Sequence, residues 1–190
     1  MNSETTPETR AEAESEEAIL QRDRGEVVDP VHKASYCFRR EGSDLWVYTW
    51  LEDGAHLPEH LHPSLDEYWE ALDGSARVKL DGEWRDLVPA DGPIHVGREV
   101  RHELRNESGQ LARMRTRVTP GGRLEEFLTE SAQAAREGLI NTRNLPTSIR
   151  AAGWIGRFAL RFQDETVMTS PPPALQRLTL PLLARLAPDR

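Results

Sequence analysis

Between about residues 31 and 120 the chain alternates apolar and polar positions with a period of two. The runs are Ala34 to Arg40, Leu45 to Leu51, Glu67 to Leu72, Ala76 to Leu80, Trp84 to Val88, Ile94 to Val96, His102 to Asn106 and Leu111 to Val118. Turn-forming residues separate them, among them Glu52-Asp53-Gly54, Asp73-Gly74, Asp81-Gly82 and Ala90-Asp91-Gly92-Pro93. Short strands at this spacing predict an all-β sandwich or barrel, and eight of them are enough to close a barrel that holds one small ligand. After Pro120-Gly121-Gly122 the period lengthens. Leu124, Phe127, Leu128 and Ala135 fall at helical spacing, as do Ile149, Ala152, Ile155, Ala159 and Phe162. A third helix is expected after the prolines at 171–173, with Leu175, Leu178, Leu182 and Leu186 on one face and a kink at Pro181.

The first 26 residues lack such a pattern. They hold eight acidic and three basic side chains and little that can cover a core, so 1–26 is expected to be a disordered acidic tail. The expected organisation is therefore that tail, a β-barrel over 27–120 and a helical extension over 121–190. With 32 acidic against 24 basic residues the net charge is -8, which offers no footprint for a nucleic-acid backbone. No apolar run approaches the ~18 residues of a membrane span. The one cysteine, Cys37, cannot form a disulfide within the chain; it reads as a small buried side chain in a reducing, cytoplasmic setting.

Candidate chemistry concentrates between Gly54 and Gly74. On an extended chain residues i and i+2 share a side, so His60 and His62 can reach one ion, and Glu67 opens the following strand. Imidazoles with a carboxylate suit iron(II), zinc, manganese, nickel or copper. A further histidine must come from far downstream. His102 opens a strand in which Leu104 and Asn106 share its face.

These residues resemble the motifs of the cupin superfamily. The first motif is glycine, five residues, His-x-His, four residues, glutamate, six residues, glycine, and Gly54, His60, His62, Glu67 and Gly74 meet each position. The second is Pro-x-Gly-x-x-His-x-x-x-Asn; His102 and Asn106 fit it, while Gly97 stands where proline is usual and Glu99 where glycine is usual. The resemblance implies a cupin-type antiparallel β-barrel, a jelly roll or double-stranded β-helix, with C-terminal α-helices. It further implies one divalent transition metal held by His60, His62, Glu67 and His102. The departures fall on turn residues and spare the ligands.

Strand parity places Trp69 and Ala71 on the wall of Glu67, and with Leu104 and Asn106 they are the expected pocket lining. Arg113, Arg115 and Arg117 form one face of the last strand, read as the solvated side. His32, His56 and His95 read as solvent or loop residues, with His56 the one placed to act as a proton shuttle at the barrel mouth. A metal-dependent enzyme acting on a small organic molecule follows as the first expectation, with dioxygenase-type oxidation ahead of isomerase, decarboxylase or lyase chemistry. The alternative is a non-catalytic module that binds a metal or small molecule, since no general base can be named. A third reading, an interaction protein docking through the C-terminal helices, is weaker than their packing on the barrel or in a homodimer interface.

Overall fold

A computed structural model describes residues 15–186. The elements run α1 (Glu16–Leu20), β1 (Val27–Asp29), β2 (Ala34–Glu41), β3 (Asp44–Leu51), β4 (His56–Leu61), β5 (Asp66–Asp73), β6 (Ala76–Leu80), β7 (Glu83–Leu87), β8 (Ile94–Val96), β9 (His102–Arg105), β10 (Ala112–Thr119), α2 (Leu124–Arg136), α3 (Ile149–Arg161), β11 (Val167–Met168) and α4 (Pro173–Ala184). Every strand predicted from the alternation is present to within two residues. Three more, β1, β4 and β11, are added. β1 and β11 are too short to leave a period, and Pro58 interrupts the pattern of β4.

The strands form two antiparallel sheets, in the orders β1-β2-β3-β10-β5-β8 and β11-β4-β9-β6-β7. This corrects the expected closed barrel: no ladder joins the two sheets among the described residues, and the fold is a two-sheet jelly roll with C-terminal helices. The chain instead crosses from sheet to sheet at its corners, from β3 to β4, β4 to β5 and β5 to β6. Between the sheets Val47, Trp69, Met114 and Val118 of the first meet Val78, Leu87 and Leu104 of the second. On β3 the alternation divides cleanly, with Leu45, Val47 and Leu51 in this core and Tyr48 and Trp50 on the opposite face.

That opposite face is where the expected tail must be corrected. Residues 1–14 lie outside the described residues, but 15–26 is docked. Ser15 caps α1 by accepting from Ala18 N, and Ile19 is fully buried against Cys37, Tyr48 and Trp50. Leu20 O accepts from Arg113, Arg22 O accepts from the Trp50 indole at 3.2 Å, and Arg115 bridges Glu16 and Glu70. The outer arginine face is thus partly covered. One isoleucine and two aromatic neighbours suffice for docking, a signal too sparse to stand out in an acidic segment.

The helices close over the other end of the sandwich. β11 adds to the edge of β4, pairing Met168 with His60 and Val167 with Leu61. α3 packs on α4 so closely that a Cβ on Gly156 would lie 2.5 Å from Ala184 N. Leu175, Leu178, Leu182 and Leu186 share a face as expected, but that face is exposed, Leu178 to 70%. Among the described residues no helix is long and apolar enough to cross a membrane.

Candidate metal centre

Two of the motif residues shape the backbone. Gly54 has φ +77 and Gly74 φ +71, left-handed values that glycine adopts without Cβ strain. Glu99 stands where the motif usually has glycine, yet it keeps φ +60 and donates its N–H to His62 O at 2.9 Å. The loop before His102 therefore retains the turn although the glycine is gone.

The cross-strand register then brings the donors together. His60 on β4 is opposite His102 on β9, His62 follows the end of β4, and Glu67 on β5 reaches across from the facing sheet. One donor atom from each of His60, His62 and His102 lies within 4.8 Å of the others. Glu67 Oε2 is 3.6 Å from His62 Nε2 and 3.5 Å from His102 Nε2, and it accepts a bond of 3.0 Å from the Trp69 indole. Trp69 also presents an edge to the His102 ring at 5.1 Å.

Each imidazole is held from behind by its Nδ1. His60 Nδ1 is 2.7 Å from Pro58 O, His102 Nδ1 is 2.9 Å from Val100 O, and His62 Nδ1 is 2.6 Å from Glu165 O with Thr166 Oγ1 at 3.3 Å. A carbonyl accepts only, so these contacts place the proton on Nδ1 and leave the Nε2 lone pair facing inward. His60 Nε2 and His102 Nε2 are then 3.0 Å apart with no hydrogen between them. Two converging lone pairs in a buried site repel each other, and a cation between them turns the repulsion into coordination. The donor set fits a divalent transition metal on this ground, with the backbone carbonyls acting as the outer partners that fix ligand orientation.

The electrostatics point the same way. Burial alone would raise the Glu67 carboxyl, but His62, His102 and His60 outweigh it and hold it at about 2. Burial pushes His60 well down, helped by the charges of its two imidazole neighbours, and it lowers His102 too. His62 is raised, because Glu67 outweighs the desolvation. The metal-free site therefore keeps an ionised carboxylate, two neutral imidazoles and a third that attracts a proton.

His60, His62 and Glu67 open into a cavity of about 690 Å³. Its inner wall comes from the sheets, including Val47, Thr49, Leu57, Trp69, Leu104 and Met114, and its roof from the helices, including Leu124, Phe127, Trp154 and Phe158. The roof aromatics stack, Phe127 on Phe158 at 5.1 Å and Trp154 on Phe158 at 4.6 Å.

Trp69 and Leu104 thus line the cavity, whereas the other two expected pocket residues do not. Ala71 packs in the core between the sheets. Asn106 is buried below the Gly54 turn, where its Nδ2 donates to Leu51 O and Gln110 O and its backbone exchanges bonds with Gly54 and Ala55. It shares the parity of His102 but lies beyond the end of β9, so parity no longer decides where it points. His56 pairs with Glu103 at 2.8 Å and His95 with Asp66 at 3.1 Å, both away from the cavity. His32, read as a loop residue, does line it. The segment from Glu165 to Met168 positions His62 through a backbone carbonyl, which leaves no mark in a sequence.

No family model matches the chain. Among curated proteins, 70 residues, 37% of the chain, are 33% identical to polyketide synthase CurC of Streptomyces cyaneus. A 70-residue stretch is likewise 31% identical to the tetracenomycin polyketide synthase protein TcmJ of Streptomyces glaucescens. The matched part spans just under half of these relatives, 45% and 46% of their lengths. Several neighbours among solved structures are described as cupin proteins. One is the cupin domain of an XRE-family transcriptional regulator from Enterobacter cloacae, which is 20% identical, with 45% of this chain and 95% of that one aligned at a TM-score of 0.40.

Proposed function

We propose that the chain is a cupin-type metal-dependent enzyme acting on a small organic molecule, in which His60, His62, His102 and Glu67 hold one divalent transition metal. The reading is carried by the convergence of three Nε2 lone pairs, each set by an Nδ1 bond to a carbonyl, in the wall of a large apolar cavity. A bound metal would supply Lewis acidity toward a chelating oxygen pair and, if redox active, electrons for chemistry with dioxygen.

The remaining parts belong to the protein. Trp69 anchors the Glu67 carboxylate through its indole N–H, which keeps that side chain oriented toward the imidazoles. Phe127, Trp154 and Phe158 cover the cavity from the helical side, excluding water and offering flat apolar surface to a ring system. A planar, enolic or polyphenolic compound matches such a wall, and the names of CurC and TcmJ support a substrate derived from a polyketide. Dioxygenase-type oxidation is placed ahead of isomerase, decarboxylase or lyase chemistry. The alternative is a binding module with the same metal and no turnover. We further propose a cytoplasmic homodimer, with the leucine face of α4 as the surface a second copy would cover.

The test is metal analysis of the purified chain offered iron(II), manganese, nickel, copper and zinc in turn, followed by oxygen uptake with enolic aromatic compounds. His62→Ala and His102→Ala should bind metal about tenfold more weakly or worse, at least the loss typical of removing a mere supporting partner. His95→Ala should bind as the wild type does. Full metal content in the His62 and His102 variants overturns the reading, and metal without turnover favours the binding module.

A further inference from the structure

The cavity holds a second histidine site, separate from the metal centre. His32 and Asp29 both line it, at the turn between β1 and β2. His32 Nδ1 is 2.7 Å from Asp29 Oδ2, while Asp29 Oδ1 accepts from the N–H groups of Val31 and His32 at 3.0 Å each. The Asp29 side chain is only 3% exposed and that of His32 12%. Burial tends to raise the Asp29 carboxyl, but its contacts with His32 prevail and lower it, so the group is ionised. The turn is pinned from outside as well: His32 O accepts from His56 N and Lys33 O from Glu52 N.

An ionised carboxylate at Nδ1 fixes the ring and leaves Nε2 free to exchange a proton, with no protein partner among the described residues. Other polar groups in the cavity suit the task less. The Tyr36 phenol is raised by burial and by the nearby Asp29 charge, so it stays protonated. Glu99 and Asp164 are exposed to solvent rather than enclosed with a ligand, and the Arg177 guanidinium is a donor only. The three imidazoles of the metal centre direct their Nε2 atoms at one another. His32 is the remaining imidazole of the cavity among the described residues.

We propose that His32, oriented by Asp29, is the general base of this cavity and takes the proton from an enol or phenol hydroxyl of the bound substrate. The proposal rests on the reading of the cavity as a substrate site. In the step the hydroxyl O–H bond breaks, the proton passes to Nε2, and the substrate is left as an enolate or phenolate. The resulting imidazolium is paired with the Asp29 carboxylate through Nδ1. The same proton can be returned when product forms. This supplies the base that the sequence could not name.

The test uses 2-hydroxyanthraquinone, a flat apolar phenol whose hydroxyl is remote from its carbonyls. Its colour change therefore reports loss of the proton rather than chelation. Binding is followed by quenching of tryptophan fluorescence, since Trp69 and Trp154 line the cavity, and ionisation by visible absorbance, both at pH 7 on the full chain. The wild type should bind the probe and show its phenolate band. His32→Gln should still bind the probe, more weakly only by the factor that proton transfer had contributed, yet lose the phenolate band about tenfold or more. Asp29→Asn should fall between the two. Should His32→Gln fail to fold, imidazole NMR of the wild type replaces it, with one ring passing from neutral to imidazolium as the probe binds. A phenolate band kept by His32→Gln, or a wild type that binds the probe as the neutral phenol with no new imidazolium, overturns the role of His32 alone. A wild type that does not bind the probe overturns the cavity reading, and this proposal with it.

Discussion

If the site holds a metal as proposed, the protonation state of His62 governs its uptake. Glu67 raises this imidazole while burial depresses His60 and His102, so in the metal-free protein the proton resides by preference on the His62–Glu67 pair. An ion needs the Nε2 lone pair and must displace that proton. Metal uptake near neutral pH is therefore expected to release protons, and affinity to rise with pH until His62 is neutral. Glu67→Gln removes the carboxylate that raises His62, so it should release fewer protons as well as bind more weakly. Calorimetric titration of metal into protein in two buffers of different ionisation enthalpy measures the number directly. Equal proton release by the wild type and Glu67→Gln would show that the carboxylate does not govern His62.

Short elements with few residues tie the sandwich to its surroundings. α1 is only five residues long, yet Ile19 inserts fully between Cys37, Tyr48 and Trp50 on the outer face of the larger sheet. Truncating a fully buried isoleucine costs about 2 to 5 kcal/mol, through lost burial and the cavity left behind. Ile19→Ala should accordingly lower Tm by about 2 to 4 °C for each kcal/mol in a chain of this size. Metal content at saturating metal should not change, because α1 lies on the face opposite the candidate ligands. A thermal melt checks the first expectation and metal analysis the second; an unaltered melt would mean that α1 is not held against the sheet in solution. β11 is shorter still. Its pairing with β4 follows directly on the carbonyl of Glu165 that holds His62, so a two-residue strand links the helical extension to a candidate metal ligand.

For the whole molecule, sheets and helices divide the labour. The two sheets present the candidate ligands, and α2, α3 and α4 convert an open end into a cavity. Filling that cavity from the helical side should separate ligand binding from metal binding. Ala159 lines the roof on α3, and Ala159→Trp places a large ring in the space while leaving the imidazoles in place. The expected result is unchanged metal content with binding of 2-hydroxyanthraquinone weakened by about tenfold or more, the effect of about 1.4 kcal/mol of lost contact. Unchanged affinity for the probe would place it outside this cavity.

The sequence by itself carried the strand pattern, the helical extension and the identity of the converging donors. Each is a local property: parity along a strand, apolar spacing along a helix, and a motif within 21 residues from Gly54 to Gly74 joined to His102. Where an expectation needed more than local pattern, tertiary structure decided it. Whether eight strands close into a barrel depends on edges that meet or fail to meet, which periodicity does not encode. Asn106 left the pocket because the chain turns past the end of β9, and residues 15–26 docked because a single isoleucine met Tyr48 and Trp50 of β3 beside Cys37 of β2. His32 and Glu165 entered the picture for the same reason. The Asp29–His32 pair is local, three positions apart, but its place in the cavity is set by folding, as is the approach of Glu165 to His62 across 103 positions of chain.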